Sequence, residues 1–249
     1  MDAPLLTLEA VSKSYWRGPH ELRVLTELSL EMGAGEFHVV WGKPGAGKTT
    51  LLKIAAGLET CDRGSVRFAG IDLACIPEAE HARLMREQIA WIRRGGPSSD
   101  LPILDYVALP LLPTFGHRRA YATARDAMAR VGIGECVQRR WKSLSDGERA
   151  LVGIARGVAR SPSLLLVDDP TTNLGLRERE QLAALLRDLA DSGVGVLMTV
   201  PDMKEMMSAH QIATLSGGRL LAPPEIAPHA PPPERPENVI AFPGARRRG

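Results

Sequence analysis

Gly42-Lys43-Pro44-Gly45-Ala46-Gly47-Lys48-Thr49 follows the apolar run Phe37 to Trp41 and leads into Thr50-Leu51-Leu52-Lys53-Ile54-Ala55-Ala56. The order is strand, glycine-rich turn, helix, the context in which G-x-x-x-x-G-K-[ST] cradles a nucleoside triphosphate. Glycines let the backbone curl until its N–H groups face the phosphates, and the helix N-terminus adds partial positive charge. Gly42, Lys43, Pro44, Gly45, Ala46, Gly47, Lys48, Thr49 and Thr50 are therefore the candidate residues for binding the nucleotide. In this reading Lys48 bridges the β- and γ-phosphates, and Thr49 holds Mg²⁺ through its hydroxyl.

Composition adds bounds to that motif. A chain of 249 residues with 44% hydrophobic and 24% charged residues is ordinary for a folded soluble protein of one large domain or two modest ones. A net charge of +2 offers no general attraction for nucleic acid. Cys61, Cys75 and Cys136 have neither metal-ligand spacing nor an even count, so they read as reduced thiols of a cytosolic protein. No apolar run approaches the roughly 18 residues of a membrane span. Met1-Asp2-Ala3-Pro4 lacks the basic start of a signal peptide. Any membrane role is expected to come through a partner.

Periodicity orders the rest. Leu5 to Val11 and Val24 to Met32 alternate as strands, Phe37 to Trp41 is the strand under the phosphate loop, and Gly64 to Gly70 is a further short strand. Pro77 to Gln88 is charged and helical, and Ile89-Ala90-Trp91-Ile92 is strand-like. From Arg93 to Arg140 the pattern is mostly helical, interrupted by Pro97, Pro102, Pro110 and Pro113, as in a helical subdomain inserted into a core. Ser163-Leu164-Leu165-Leu166-Val167 and Val194 to Val200 are buried parallel strands. Between them, Arg177 to Asp191 sets Leu182, Leu185, Leu186 and Leu189 on one helical face. Strands alternating with helices predict an α/β fold with a mostly parallel sheet. Past Leu221, prolines crowd in and large apolar residues thin out, so 223–249 reads as a tail. Its end, Asn238 to Phe242 followed by Arg246-Arg247-Arg248, alternatively suits a partner contact beside an acidic membrane surface.

Leu144-Ser145-Asp146-Gly147-Glu148 precedes a helix expected from about Arg149, and Asp168 closes a buried strand ahead of Asp169-Pro170-Thr171-Thr172-Asn173-Leu174. An acid at such a strand end faces the phosphate loop and can hold the Mg²⁺ shell. Phosphate loop, serine-glycine turn and strand-end aspartate, in this order, resemble the ATPase subunit of ABC (ATP-binding cassette) transporters over about residues 5 to 221. The resemblance implies a phosphate-loop core with an antiparallel β subdomain and a helical subdomain at about 93–160, together spanning residues 1–222. It also implies that two subunits sandwich two ATPs. Ser145 and Gly147 would then close on the γ-phosphate held by the partner subunit, and Tyr15 would stack on adenine. Arg83 to Leu112, with Leu109-Pro110-Leu111, looks most like the branch that includes lipoprotein-releasing, macrolide-exporting and cell-division ATPases. Pro170 to Leu174 resembles the Pro-Thr-Gly-Asn-Leu of that branch.

Departures from the family pattern cluster at the reaction centre. The glutamate that follows the strand-end aspartate is Asp169 here, the candidate catalytic residue beside Lys48. Pro201 stands where the later histidine is expected; the nearest histidine, His210, falls in a segment read as helical. Arg94 aligns with the family's glutamine, where it would repel Mg²⁺ or pair with phosphate oxygens. Gly175 replaces an aspartate, and Asp146 replaces the first glycine of the signature. The residues for Mg-ATP binding are thus present (Lys48, and Thr49 with Asp168 for the metal), while those that aim the attacking water are altered.

The expectation is an ATP-binding subunit that couples nucleotide binding, with weak or partner-dependent hydrolysis, to a transmembrane permease. It would act as a homodimer or beside a second ATP-binding subunit, on the inner face of the cell membrane. The alternative is an ATP-dependent dimerisation clamp with little or no turnover. A soluble kinase or unrelated phosphate-loop enzyme leaves Leu144 to Glu148 without a purpose.

Overall fold

Phe37-His38-Val39-Val40-Trp41 forms the strand at the middle of the larger sheet because its side chains have an apolar layer to enter on either face. The computed structural model describes residues 3–93, 95–97, 100–201 and 208–222. Ten strands and six α-helices are assigned among them: β1 (Leu6–Arg17), β2 (His20–Met32), β3 (Phe37–Trp41), α1 (Lys48–Ala55), β4 (Arg63–Phe68), β5 (Ile71–Asp72), α2 (Glu78–Glu87), β6 (Ile89–Arg93), α3 (Ile103–Ala108), α4 (Leu112–Arg130), α5 (Asp146–Val158), β7 (Leu164–Asp168), α6 (Leu176–Asp191), β8 (Gly195–Val200), β9 (Gln211–Ser216) and β10 (Arg219–Leu221).

The larger sheet runs β10-β9-β3-β8-β7-β6, parallel from β9 to β6 and closed at one end by the antiparallel β9–β10 hairpin. A second, antiparallel sheet, β2-β1-β4-β5, lies beside it. Alternation sends Val39, Leu165, Val167, Val196 and Met198 into one core with α3 to α6. Val40, Leu164, Leu166 and Leu197 enter the other, against α1 and the antiparallel sheet. Each fully buried leucine of β7 contributes roughly 1.5–3 kcal/mol of transfer free energy. A short continuous apolar run is what a strand covered on both faces requires.

Helix α5 approaches edge strand β6 through Gly153 and Gly157. A Cβ on Gly157 would come within 2.9 Å of Ile92 Cδ1. In α4, Gly116 at φ 68° breaks the helical path, so the element is two helical pieces in sequence.

Two expectations are corrected. His210 itself is not in a helix; residues 202–207 lie outside the described residues, and His210 stands immediately before β9, which pairs in parallel with β3. His210 ties the two together, its backbone N–H donating to Phe37 O and its Nδ1 accepting from Phe37 N–H at 2.9 Å. Helix α5 begins at Asp146 rather than near Arg149, because Ser145 and Glu148 form a reciprocal cap. Residues 223–249, read as a tail or a partner contact, lie outside the described residues. Cys61, Cys75 and Cys136 are free thiols. Among the described residues no helix is long and apolar enough to cross a membrane.

Candidate nucleotide site

The carboxyl ends of β3 and β7 open on one side of the parallel sheet, where ligands of such sheets collect. Between them lies a cleft of about 610 Å³, lined by Tyr15, Leu22, Val24, Pro44, Gly45, Gly47, Lys48, Thr49, Thr50, Arg93, Asp168 and Asp169. Gly45 and Gly47 take φ of +82° and +99°, and a Cβ on Gly47 would stand 2.7 Å from Val24 Cγ1. Glycine at both is what keeps the loop curled with its amides turned inward. The turn is closed by Ala46 N–H donating to Lys43 O at 3.0 Å.

Lys48, at the first turn of α1, is buried and donates to the carbonyls of Gly42 and, at 3.3 Å, Lys43. Burial pushes its ammonium below the usual lysine value, and the charges of Asp169 and Asp168 partly offset this. Thr49 Oγ1 donates to Asp168 Oδ2 at 2.9 Å. A hydroxyl and a carboxylate in contact on the cleft wall are the hard oxygen donors that Mg²⁺ takes alongside phosphate and water. These residues fit a magnesium-bound triphosphate.

Asp168 is itself fixed from behind. Thr199, fully buried on β8, donates its hydroxyl to Asp168 Oδ1 at 3.1 Å and accepts Asp169 N–H at 3.2 Å. Asp169 has φ 49°, a left-handed conformation that aspartate adopts more readily than most side chains. Its Oδ1 accepts from Thr172 Oγ1 at 2.9 Å, which draws the carboxylate towards the following turn. Pro201, next after β8, offers only its carbonyl, which accepts from Trp41 Nε1 at 3.0 Å.

Tyr15 enters the cleft from β1, paired across the hairpin with Leu22. Its hydroxyl donates to Glu59 Oε1 at 2.5 Å and lies 3.3 Å from Thr50 Oγ1. Burial, then the bond to Glu59, pushes the phenol above its ordinary value. The ring is therefore a fixed, neutral surface suited to stacking on a base.

Ser145 and Gly147 do not join this cleft; they sit at the N-terminus of α5. Ser145 Oγ accepts from Glu148 N–H at 3.1 Å, and Glu148 Oε2 accepts from Ser145 N–H at 2.7 Å. Gly147 is packed so closely that a Cβ would meet Glu178 Oε1 at 2.6 Å. The charge of Asp146 is paired with Arg149 at 2.9 Å. Gly175 caps α6, its N–H donating to Glu178 Oε2 at 2.9 Å. Arg94 lies outside the described residues. Arg93, which sequence reasoning passed over, lines the cleft and stands opposite Asp168 in the β6–β7 register.

Glu148 holds the signature turn to Arg139 as well. Burial opposes its charge, but the Ser145 N–H and the Arg139 guanidinium outweigh that and bring its carboxyl below the ordinary value of 4.5. A lowered native value means the stabilisation is complete above pH 4.5 and is lost as pH falls through the native value. Glu148→Gln is expected to cost about 1–2 kcal/mol at pH 7, given the partial exposure of Arg139. Urea unfolding should show that gap narrowing below pH 4.5; a gap independent of pH would remove Glu148 from this role.

A glycine-rich loop between strand and helix, with a buried lysine and a strand-end aspartate on the first helical hydroxyl, defines a phosphate-loop nucleotide-binding protein. A family model described as "ABC transporter" matches residues 25–172. Over 221 residues the chain is 34% identical to the lipoprotein-releasing system ATP-binding protein LolD of Cereibacter sphaeroides, covering 87% of this chain and 99% of that one. Over 225 residues it is 34% identical to the macrolide export ATP-binding/permease protein MacB of Paracoccus denitrificans, covering 88% of this chain but only 33% of that longer protein. A solved bacterial ABC transporter cassette described as dimeric superposes with a TM-score of 0.77 at 26% identity, covering 86% of this chain and 96% of the other. The chain belongs to the ABC transporter family, as an ATP-binding subunit. Its likeness to LolD and MacB agrees with the branch expected from Arg83 to Leu112.

Proposed function

We propose that the chain binds Mg-ATP in the cleft of Lys48, closes on a second ATP-binding subunit, and passes that closure to a transmembrane permease, with slow intrinsic hydrolysis. One observation carries the reading: Lys48, Thr49 and Asp168 converge on the cleft, while the Asp169 carboxylate beside them is engaged by Thr172. Lys48 and the loop amides would hold the phosphates, and Thr49 with Asp168 the magnesium, which supplies charge neutralisation on the β- and γ-oxygens. Ser145 and the α5 N-terminus would meet the γ-phosphate held by the partner subunit. Tyr15 would receive the base.

The relatives support the assembly. One carries an ATP-binding segment and a permease in a single chain by name, and the solved cassette is described as a dimer. Attachment to the membrane would then run through the permease.

The reading is tested by measuring Mg-ATP binding and turnover on the same purified sample. Saturable binding with turnover well under about 1 s⁻¹ is expected. Turnover at or above that rate would refute the slow-hydrolysis part, and absence of binding would refute the whole. Stable ATP-dependent dimers that need no membrane protein would favour the clamp.

A further inference from the structure

Tyr15 forms the aromatic wall of the nucleotide cleft, and residues outside that cleft set its place. The β1–β4 ladder ends at Ser12, which pairs with Arg63. Beyond it β1 keeps β2 on one side, and the loop that follows α1 takes over the other. Asp62 Oδ2 accepts from Ser14 N–H at 2.7 Å. Lys13 Nζ donates to Thr60 O at 2.8 Å and to Asp62 Oδ1 at 3.2 Å. Glu59 Oε1 accepts the Tyr15 hydroxyl at 2.5 Å, a length typical of an O–H bond to a carboxylate. Lys13, Ser14 and Tyr15 are thus all held by one short loop, Glu59 to Asp62.

This anchor is attached to the helix that carries the phosphate cradle. Lys48 and Thr49 open α1, Thr50 Oγ1 lies 3.3 Å from the Tyr15 hydroxyl, and Glu59 follows soon after the helix ends at Ala55. Lys13 and Lys53 stand 3.9 and 3.8 Å from the two Glu59 oxygens and balance its charge. One face of the Tyr15 ring carries the Lys13 ammonium, 5.6 Å from the centroid, which leaves the opposite face for a base. Glu59 does not line the cleft, so its carboxylate acts on where the ring stands and not on the nucleotide itself. A ring already fixed loses little freedom when a base settles on it, and more of the stacking energy is kept as affinity.

We propose that Glu59 is a positioning residue for the nucleotide base, holding the Tyr15 ring in a stacking position fixed relative to the phosphate loop before the nucleotide arrives. The proposal rests on the functional reading above, in which Tyr15 receives the base. It adds that base platform and phosphate cradle are tied to one helix, through Thr50 and Glu59 on one side and Lys48 and Thr49 on the other.

The test is calorimetric titration of the full chain with Mg-ATP and, separately, with the magnesium complex of ribose 5-triphosphate, which lacks only the base. The wild type should bind Mg-ATP about tenfold more tightly than the baseless triphosphate. Glu59→Ala should weaken Mg-ATP about fivefold and leave the baseless triphosphate within about twofold. Glu59→Gln, whose amide oxygen still accepts the hydroxyl, should restore most of the loss. Tyr15→Phe keeps the ring and lacks the hydroxyl, so it should match Glu59→Ala, and the double variant should be no weaker than either parent. Equal weakening of both ligands in Glu59→Ala would overturn the proposal, since Glu59 would then support the whole loop. So would additive losses in the double variant, or wild-type Mg-ATP affinity in Glu59→Ala. Failure of the functional reading looks different: a wild type that binds neither ligand would refute the cleft as a nucleotide site, and the positioning role with it.

Discussion

Lys48→Ala is expected to weaken Mg-ATP binding by about 100-fold or more while leaving the fold intact. The ammonium stands at the first turn of α1, held by the Gly42 and Lys43 carbonyls so that it reaches over the loop. Hydrogen bonds to a charged group are worth about 1.5–3 kcal/mol each, so losing two to phosphate oxygens costs on the order of 3 kcal/mol or more. Stability should change far less. Burial already disfavours this charge, so removing it relieves desolvation, which offsets the loss of its bonds to the Gly42 and Lys43 carbonyls. Calorimetric titration with Mg-ATP and a thermal melt of the same variant test both halves. Unchanged affinity would dismiss the cleft as the nucleotide site; a collapsed melt would show Lys48 to be structural.

That site was legible because its signals are local. Strand, glycine turn and helix from Phe37 to Ala55 are written in consecutive residues, as are the apolar runs that became β7 and β8. What sequence reading missed depends on pairing between distant segments. Gln211 to Ser216 has the exposure pattern of a half-covered strand, and only its alignment along β3 makes it one. Arg93 lines the cleft because β6 and β7 pair in a register that sets it opposite Asp168. Thr199 stands thirty-one residues from Asp168, the aspartate it fixes, and a threonine inside an apolar strand carries no mark of its role. The start of α5 was recoverable: Ser145-x-x-Glu148 is a capping box in the sequence, and it moves the helix back to Asp146.

Asp169→Glu together with Pro201→His is expected to raise turnover about a hundredfold over the wild type with little change in ATP affinity. The backbone of residue 169 is held from β8 by two acceptors on Thr199, the carbonyl at 3.1 Å and the hydroxyl at 3.2 Å. Lengthening the side chain therefore moves the carboxylate rather than the chain. One further C–C bond carries it beyond Thr172 towards the phosphate end of the cleft. Displacement of about 1 Å at a reacting group is worth about two orders of magnitude in rate. There is an opposing cost. At φ 49° aspartate is favoured over glutamate, whose longer side chain lacks the same local hydrogen bonding, by on the order of 1 kcal/mol. The single Asp169→Glu variant should accordingly melt about 2–4 °C lower. Pro201→His adds at the end of β8 an imidazole able to contact the γ-phosphate. The decisive measurement is steady-state turnover of the double variant beside its two single parents at saturating Mg-ATP. A gain exceeding the product of the single effects would show carboxylate and imidazole acting together on one water. If turnover stays at the wild-type level while Mg-ATP still binds, Arg94, Gly175 or Asp146 also limits the site, the last of these replacing a glycine at the helix end proposed to approach the γ-phosphate of the second subunit.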